Sequence, residues 1–512
     1  MKKILLALAL PCATSALYAQ EFLHVNGYWS SDVIPVEHID HISFGEVVAE
    51  TLPEVMAKDP NIKIFNEALQ LTGLCDSLRA IYDNDYYYDH AMVQGIYSSQ
   101  QAYALQKLRK GYTAFVETDK TLALYGIGSL ADLKAYAAKV YDEMYPEDAG
   151  VTDPTDRRNS LNRFVAYHLL DRKATQNELT AAGISNELAG NVAEKYNCGA
   201  VDIADWYETL MPHSMLKCSA PRMNGQDMVY VNRRGLQDHA DDRGVLVEGA
   251  VLDPSFQGVA INGYYHYIGG IIAYDKQTQE VVLDEQIIVN NSTISPEFMN
   301  NGMRIHRAYP VISRDNEVFL PAGSLKNVQV NSDDTRMYYL FSQAWQDVQT
   351  DEFLITGLFD LTIKLPSLPA GTYELNIGYS ASYNRNVAEA YLDGELCGTI
   401  DQRISGKSWN EEGLGWKSDE ELNFDAAAIA ENDKLLFDNG YRKGLAYCRD
   451  VSGQPLRDYA SCLRRIITTF TTDGKSDHYL RLKNVNAEDD GSAQFMIDFL
   501  EFCPTHILPE YK

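Results

Sequence analysis

Basic residues are the first scarcity in this chain: 44 Lys and Arg stand against 72 Asp and Glu, for a formal net charge of −28. No basic stripe interrupts the imbalance, so nucleic acid and anionic lipid are repelled and make poor partners. The acid is spread over the chain rather than gathered into a tail, and its main consequence is solubility. Long apolar runs are missing too. No stretch of about 20 consecutive apolar residues occurs, which argues against a transmembrane helix. Cysteine is sparse, at eight residues, with no CxxC pair and no zinc-like spacing. There is no GxSxG elbow, no HExxH, no P-loop and no GxGxxG after a strand, so the signatures of common hydrolases, zinc proteases and nucleotide-binding folds are absent. No catalytic, cofactor-binding or metal-ligating set is assigned.

Tyrosine, in contrast, is plentiful, with 33 against 17 phenylalanines. Rings with a polar handle suit half-exposed β surfaces and sugar- or protein-binding faces. A hydrophobic content of 45% and a mean hydropathy of −0.28 describe a chain able to bury sizeable cores. Its length predicts two or three domains.

The first 19 residues read as an export signal, with Lys2-Lys3 as basic n-region, Ile4 to Leu10 as apolar h-region and cleavage near Ala19-Gln20. Cys12 raises a lipid anchor, which Pro11 disfavours. The chain is therefore expected at the cell surface, in the periplasm or secreted. Removing the signal leaves seven cysteines, an odd number, with Cys198–Cys218 and Cys448–Cys462 the pairs to test. Residues 20–44 read as an extended lead-in whose His38 and His41 lack the helical periodicity that would make them a metal pair.

Pro53 suits the first turn of a helix, and Phe65, Ala68, Leu69 and Thr72 keep helical spacing up to Gly73. The run from Tyr82 to His90 carries Asp83, Asp85 and Asp89, but Tyr88 stands where a calcium loop needs glycine, so a surface loop is expected. Tyr112 to Leu122 starts as a buried strand and turns into a helix start at Thr118 or Asp119. Ser129 with Asp132 resembles a capping box opening a long amphipathic helix. Asn159 to Lys173 reads as a short amphipathic helix running into a strand, with Tyr167 and His168 on its apolar side. A histidine there is a base, a ligand or a satisfied core residue, and no catalytic partner is evident for it. Asn262-Gly263 marks a tight turn between β runs.

The ordered segments FNEALQLTGL, YTAFVETDKTL, FVAYHLL, YETLMPHSMLK and INGYYHYIGGIIAY resemble those of a fasciclin domain, over about residues 45 to 275. Thr113 and Phe115 match the family's first motif, Tyr167 and His168 its second, and Asn262, Gly263 and His266 its third. The asparagine usual in the first motif is missing, with Asp119 nearby, and insertions lie around 140–160 and 180–200. The resemblance implies an α+β fasciclin-like domain acting in adhesion or extracellular binding, with no catalytic apparatus and with the Tyr-His pair structural.

From about Glu280 strands separated by Gly, Pro and Asp turns take over. Phe359 to Leu365 and Tyr373 to Tyr379 alternate, and Asp393-Gly394 joins two β runs as a hairpin. An all-β jelly-roll sandwich is expected, and it resembles galactose-binding-like modules of extracellular bacterial proteins and the module that follows fasciclin domains in Gram-negative surface proteins. Tyr383, Trp409 and Trp416 are its candidates for stacking on a sugar ring. The expected organisation is thus a signal at 1–19, lead-in at 20–44, fasciclin-like domain at 45–278 and β-sandwich at 279–512. The expected function is non-enzymatic adhesion or binding of glycan or an extracellular or surface protein. The alternative is a secreted carbohydrate-active enzyme with an appended carbohydrate-binding sandwich.

Overall fold

The strand Tyr112–Glu117 is buried along its whole length and organises the N-terminal half. It pairs in parallel with Gly263–Ile268 and antiparallel with Leu169–Leu170, in a four-stranded sheet completed by Val259–Ala260. A computed structural model describes residues 22–26, 31–35, 50–96, 101–180, 204–220, 222–223, 226–234, 244–248, 258–303, 317–341, 346–407, 413–448, 454–486 and 493–509. The export signal with Cys12, the His38/His41 pair, Cys198 and Trp409 lie outside the described residues.

Helices cover this sheet where local chemistry starts and stops them. Pro53 opens Leu52–Met56. Lys63–Leu71 buries Ile64, Phe65, Ala68 and Leu69 on one face and gives way to Gly73 at φ +70°. Thr118 caps Asp119–Leu124 by accepting from the Thr121 amide, and Ser129 caps Leu130–Met144 by accepting from Asp132. Those side chains satisfy N–H groups that a helix start leaves without a partner. Asn159 does the same for Ser160–Tyr167.

The C-terminal half holds two five-stranded sheets and one six-stranded sheet. One five-stranded sheet runs Ile287–Asn290, Phe499–Pro504, Gly371–Ser380, Cys462–Thr472, Tyr441–Lys443; the other runs Val328–Val330, Asp360–Lys364, Tyr479–Asn484, Val387–Leu392, Glu395–Asp401. The predicted hairpin is present, with Leu392 facing Glu395 and positive φ at Asp393 (+50°) and Gly394 (+90°), the backbone that a two-residue primed turn requires.

The architecture is mixed, with many sheets and a few helices, and the strand-rich C-terminal half carries helix that its sequence does not announce. Ala426–Asp438 is a 13-residue helix capped by Asp425, and Asn291–Ile294 and Pro296–Asn300 are short helical turns. The long helix escapes periodicity because it buries only Asn432 and Leu436. Its alanines and its cap hold it rather than an apolar stripe.

The two halves share structure. The six-stranded sheet contains the hairpin Met92–Gln94 and Gln101–Ala104, whose second strand pairs in parallel with Glu317–Leu320. Arg172, buried, donates to the Thr293 carbonyl (2.9 Å), and the Asn300 amide side chain bonds both the Lys173 N–H (2.7 Å) and the Asp171 carbonyl (3.0 Å). Among the described residues, no helix is long and apolar enough to cross a membrane.

Candidate functional site

His168 follows the last turn of Ser160–Tyr167, and both its ring and its partner Glu117 are wholly buried. Nδ1 lies 2.7 Å from the Phe164 carbonyl, which can only accept, so Nδ1 carries a hydrogen. Nε2 lies 2.8 Å from Glu117 Oε1. One proton occupies that contact, and the pair is net neutral whichever atom holds it. Phe164 and Phe65 wall the imidazole, with ring centroids 4.5 and 5.5 Å away. A base or ligand needs a path to its substrate. This ring has aromatic walls instead.

Tyr167 is equally structural. Its hydroxyl donates to the Met215 carbonyl (3.0 Å) and accepts from Asn232 Nδ2 (2.9 Å), tying the helix to the strand Met215–Ser219. Thr113 Oγ1 donates to the Arg172 carbonyl (2.7 Å) and accepts from the Ala174 amide (3.0 Å). His266 Nε2 donates to the Ala174 carbonyl at 3.0 Å, so the first and third motifs converge on residues 172–174. Burial pushes His266 down to about 4, which keeps it neutral, and its ring stacks with Tyr264 at 6.4 Å and lies tilted 6.0 Å from Phe115.

The third motif works differently from the expected Asn-Gly turn. Ala260 pairs with Gly263, so the two turn residues are Ile261 and Asn262, and Gly263 opens the strand. Neither turn residue has positive φ. Glycine is required at 263 because a Cβ there would run into the carbonyl oxygen of Tyr112 on the paired strand. Asn262 is a three-way clasp. Its Oδ1 accepts from the Leu52 amide (2.9 Å), and its Nδ2 donates to the carbonyls of Leu78 and Ala80 (2.8 Å each). Asn262→Ala is expected to cost about 3 kcal/mol or more, at about 1 kcal/mol or more per backbone group left without its partner. Urea unfolding measures it, and a loss below about 1 kcal/mol would contradict the clasp.

Two sets of carboxylates in the C-terminal half went unseen in the sequence. Glu374 and Glu501, on neighbouring strands, are both bonded by Asn376 Nδ2 at 2.9 Å. A carboxylate pair so close is what a glycosidase would use. Here, however, Arg442 grips Glu374 through two bonds (2.7 and 2.9 Å), Arg464 holds Glu501 (2.6 Å), and both acids are buried. The four charges cancel in a closed network.

The second set is built differently. Asp347, Asp351, Glu352 and Asp498 are all buried where the strand Asp351–Thr356 meets the junction of Phe495–Ile497 with Phe499–Pro504. Asp351 accepts from the Tyr339 hydroxyl (2.8 Å) and from Asn290 (3.1 Å), and Asp498 accepts from the Val348 amide (2.9 Å). Neither oxygen of Asp347 has a hydrogen-bond partner among the described residues. The Arg385 guanidinium lies 3.9 Å from Glu352. Burial, reinforced by the neighbouring acids, pushes Asp347 and Asp498 well above the usual carboxylate range and raises Glu352. Among the described residues no group of three or more His, Cys, Asp or Glu side chains is placed to hold a metal ion.

The stacking candidates separate. Tyr383 is 81% exposed, on the loop between Gly371–Ser380 and Val387–Leu392. Trp416 is only 4% exposed and belongs to a core with Tyr379, Leu436 and Tyr441, its ring flanked by Lys407 and Lys443 at 5.1 and 5.8 Å. A ring so enclosed has no face for a sugar, which corrects its place among the candidates. Other tyrosines do face solvent. Tyr103, 62% exposed, sits directly across from exposed Met92 on the hairpin at the end of the six-stranded sheet, and Tyr87 is 63% exposed. Gln94 and Gln101 form the next exposed cross-strand pair. The signal for this face was the alternation in QAYA, which is too short to read by periodicity alone.

No family model matches the chain, and no curated protein matches it. Solved structures similar to parts of it include an insect fasciclin I FAS1 domain pair, at 14% identity, covering 45% of this chain and 52% of that one, with a TM-score of 0.23. A Paenibacillus xanthan lyase is similar at 9% identity over 57% of this chain and 20% of that one, with a TM-score of 0.23. The insecticidal crystal protein Cry2Aa is similar at 11% identity over 37% and 22%, with a TM-score of 0.20. The chain thus spans about half the length of the fasciclin pair, and its likeness to all three is weak.

Proposed function

We propose that this is an exported, non-enzymatic binding or adhesion protein that recognises glycan or protein through solvent-facing tyrosines. Its N-terminal half would be of fasciclin type and its C-terminal half a jelly-roll sandwich. The observation that supports the binding reading is the exposure of Tyr383, Tyr87 and Tyr103 in a chain that buries so many of its other aromatics. A large ring held in water is a cost in the free protein, removed when a sugar face or an apolar side chain covers it. Export is supported by the basic and apolar run at Lys2 to Leu10, and location at the surface, in the periplasm or outside follows from it.

A glycan array with the full-length chain tests the proposal. Binding is expected, and Tyr383→Ala is expected to weaken it about tenfold without changing the melting temperature. Undiminished binding by Tyr383→Ala would remove Tyr383 from the site. Turnover of a bound glycan would establish the carbohydrate-active enzyme instead.

A further inference from the structure

The loop that carries Tyr383 is tied down at almost every residue except the tyrosine. Ala381 donates its amide to the Ser461 carbonyl (2.8 Å), Ser382 to Gln402 (3.2 Å), Arg385 to Ser382 (3.0 Å) and Asn386 to Gln494 (2.7 Å). Arg385, two residues after the exposed ring, turns inward and is buried. Its Nε donates to the Ser380 carbonyl (3.1 Å), Nη1 to Gln494 Oε1 (3.2 Å) and Nη2 to the Met496 sulfur (3.0 Å). The same Nη2 faces Glu352 at 3.9 Å. One guanidinium therefore closes the base of the loop onto two other segments, residues 494–496 and the strand Asp351–Thr356.

A buried cation needs a counter-charge, and breaking such a pair by removing one partner leaves the other charge uncompensated. Glu352, whose carboxylate lies 3.9 Å from Nη2, meets that need.

We propose that Arg385 is the positioning residue for Tyr383: its buried guanidinium, bonded to Ser380, Gln494 and Met496 and facing Glu352, fixes the loop so that the tyrosine ring is presented to ligand already ordered. The inference rests on the reading of Tyr383 as a binding residue and goes further by naming what pre-organises it. Ordering the loop in advance lowers the cost of binding.

Hydrogen exchange of the full-length protein, with no ligand present, reads the loop directly. Arg385→Met alone would strand the carboxylates and risks unfolding, so the informative variant is Arg385→Met with Glu352→Gln, compared with Arg385→Lys. The double variant is expected to keep its melting temperature near wild type, while exchange at the amides of Arg385 and Asn386 speeds up about tenfold or more. Arg385→Lys is expected to restore part of the protection. On the glycan array the double variant should bind more weakly, as Tyr383→Ala does, whereas Tyr383→Ala should leave exchange in the loop unchanged. Unchanged exchange in the double variant, or acceleration spread evenly over the whole protein, would overturn the proposal. Altered exchange with undiminished binding by Tyr383→Ala would overturn the binding role of Tyr383 and leave Arg385 as the anchor of the loop.

Discussion

His168→Ala is expected to cost about 3–5 kcal/mol, the range for breaking a buried charge-bearing pair from one side. The loss has two parts. Glu117 would be left in the core with neither carboxylate oxygen bonded, since Oε2 already lacks a partner among the described residues. The imidazole would also leave a void between Phe65 and Phe164, which close packing cannot fill. Replacing both partners by apolar groups of similar volume, His168→Phe with Glu117→Leu, is expected to recover most of that loss, because the pair gains its interaction only after two desolvations. Equilibrium unfolding in urea of the two single variants and the double variant closes the cycle. A double variant as unstable as the sum of the singles would show that the two residues act independently.

The buried acids predict an unusual response to pH. Asp347 is raised in the fold above its ordinary value of 3.8, so the folded chain keeps a proton that the unfolded chain has lost. The sign follows from that difference: the contribution is fully present below pH 3.8 and is lost as pH rises through the higher folded value. Asp498 and Glu352 act in the same direction. Within that window each such group lowers stability by up to about 1.4 kcal/mol per pH unit. Asp347→Asn removes the ionisation that favours the unfolded chain as pH rises. It is expected to raise the melting temperature at pH 8, to do less at pH 5, and so to flatten the pH profile. A variant that loses stability equally at both values would show that the Asp347 carboxylate is held ionised and favourable.

Local signals were legible in the sequence and long-range ones were not. Thr118, Ser129 and Asp393-Gly394 were readable because each acts within a few residues of itself, capping a helix or fixing the backbone of a turn. Glu117 was not singled out, although it lies at the end of a motif that was, because its partner is 51 residues away and only the packed sheet joins them. Asn262 reads as a turn former because it precedes a glycine. Its side chain in fact reaches backbone groups some 180 to 210 residues distant, which no spacing rule exposes. The helix Ala426–Asp438 shows no apolar stripe, and Trp416 stands among the stacking candidates because sequence does not show what covers an aromatic. Arg385 and the acids it faces come from segments more than 30 residues apart in the chain, so their meeting is a property of the fold alone.

The central claim is that the Tyr-His motif holds the fold while recognition lies on exposed tyrosines. Urea unfolding of His168→Ala, with glycan-array binding measured on the variant where it is still folded, tests it most directly. The account predicts a lower unfolding midpoint with binding retained. An unchanged midpoint with binding or activity abolished would contradict it.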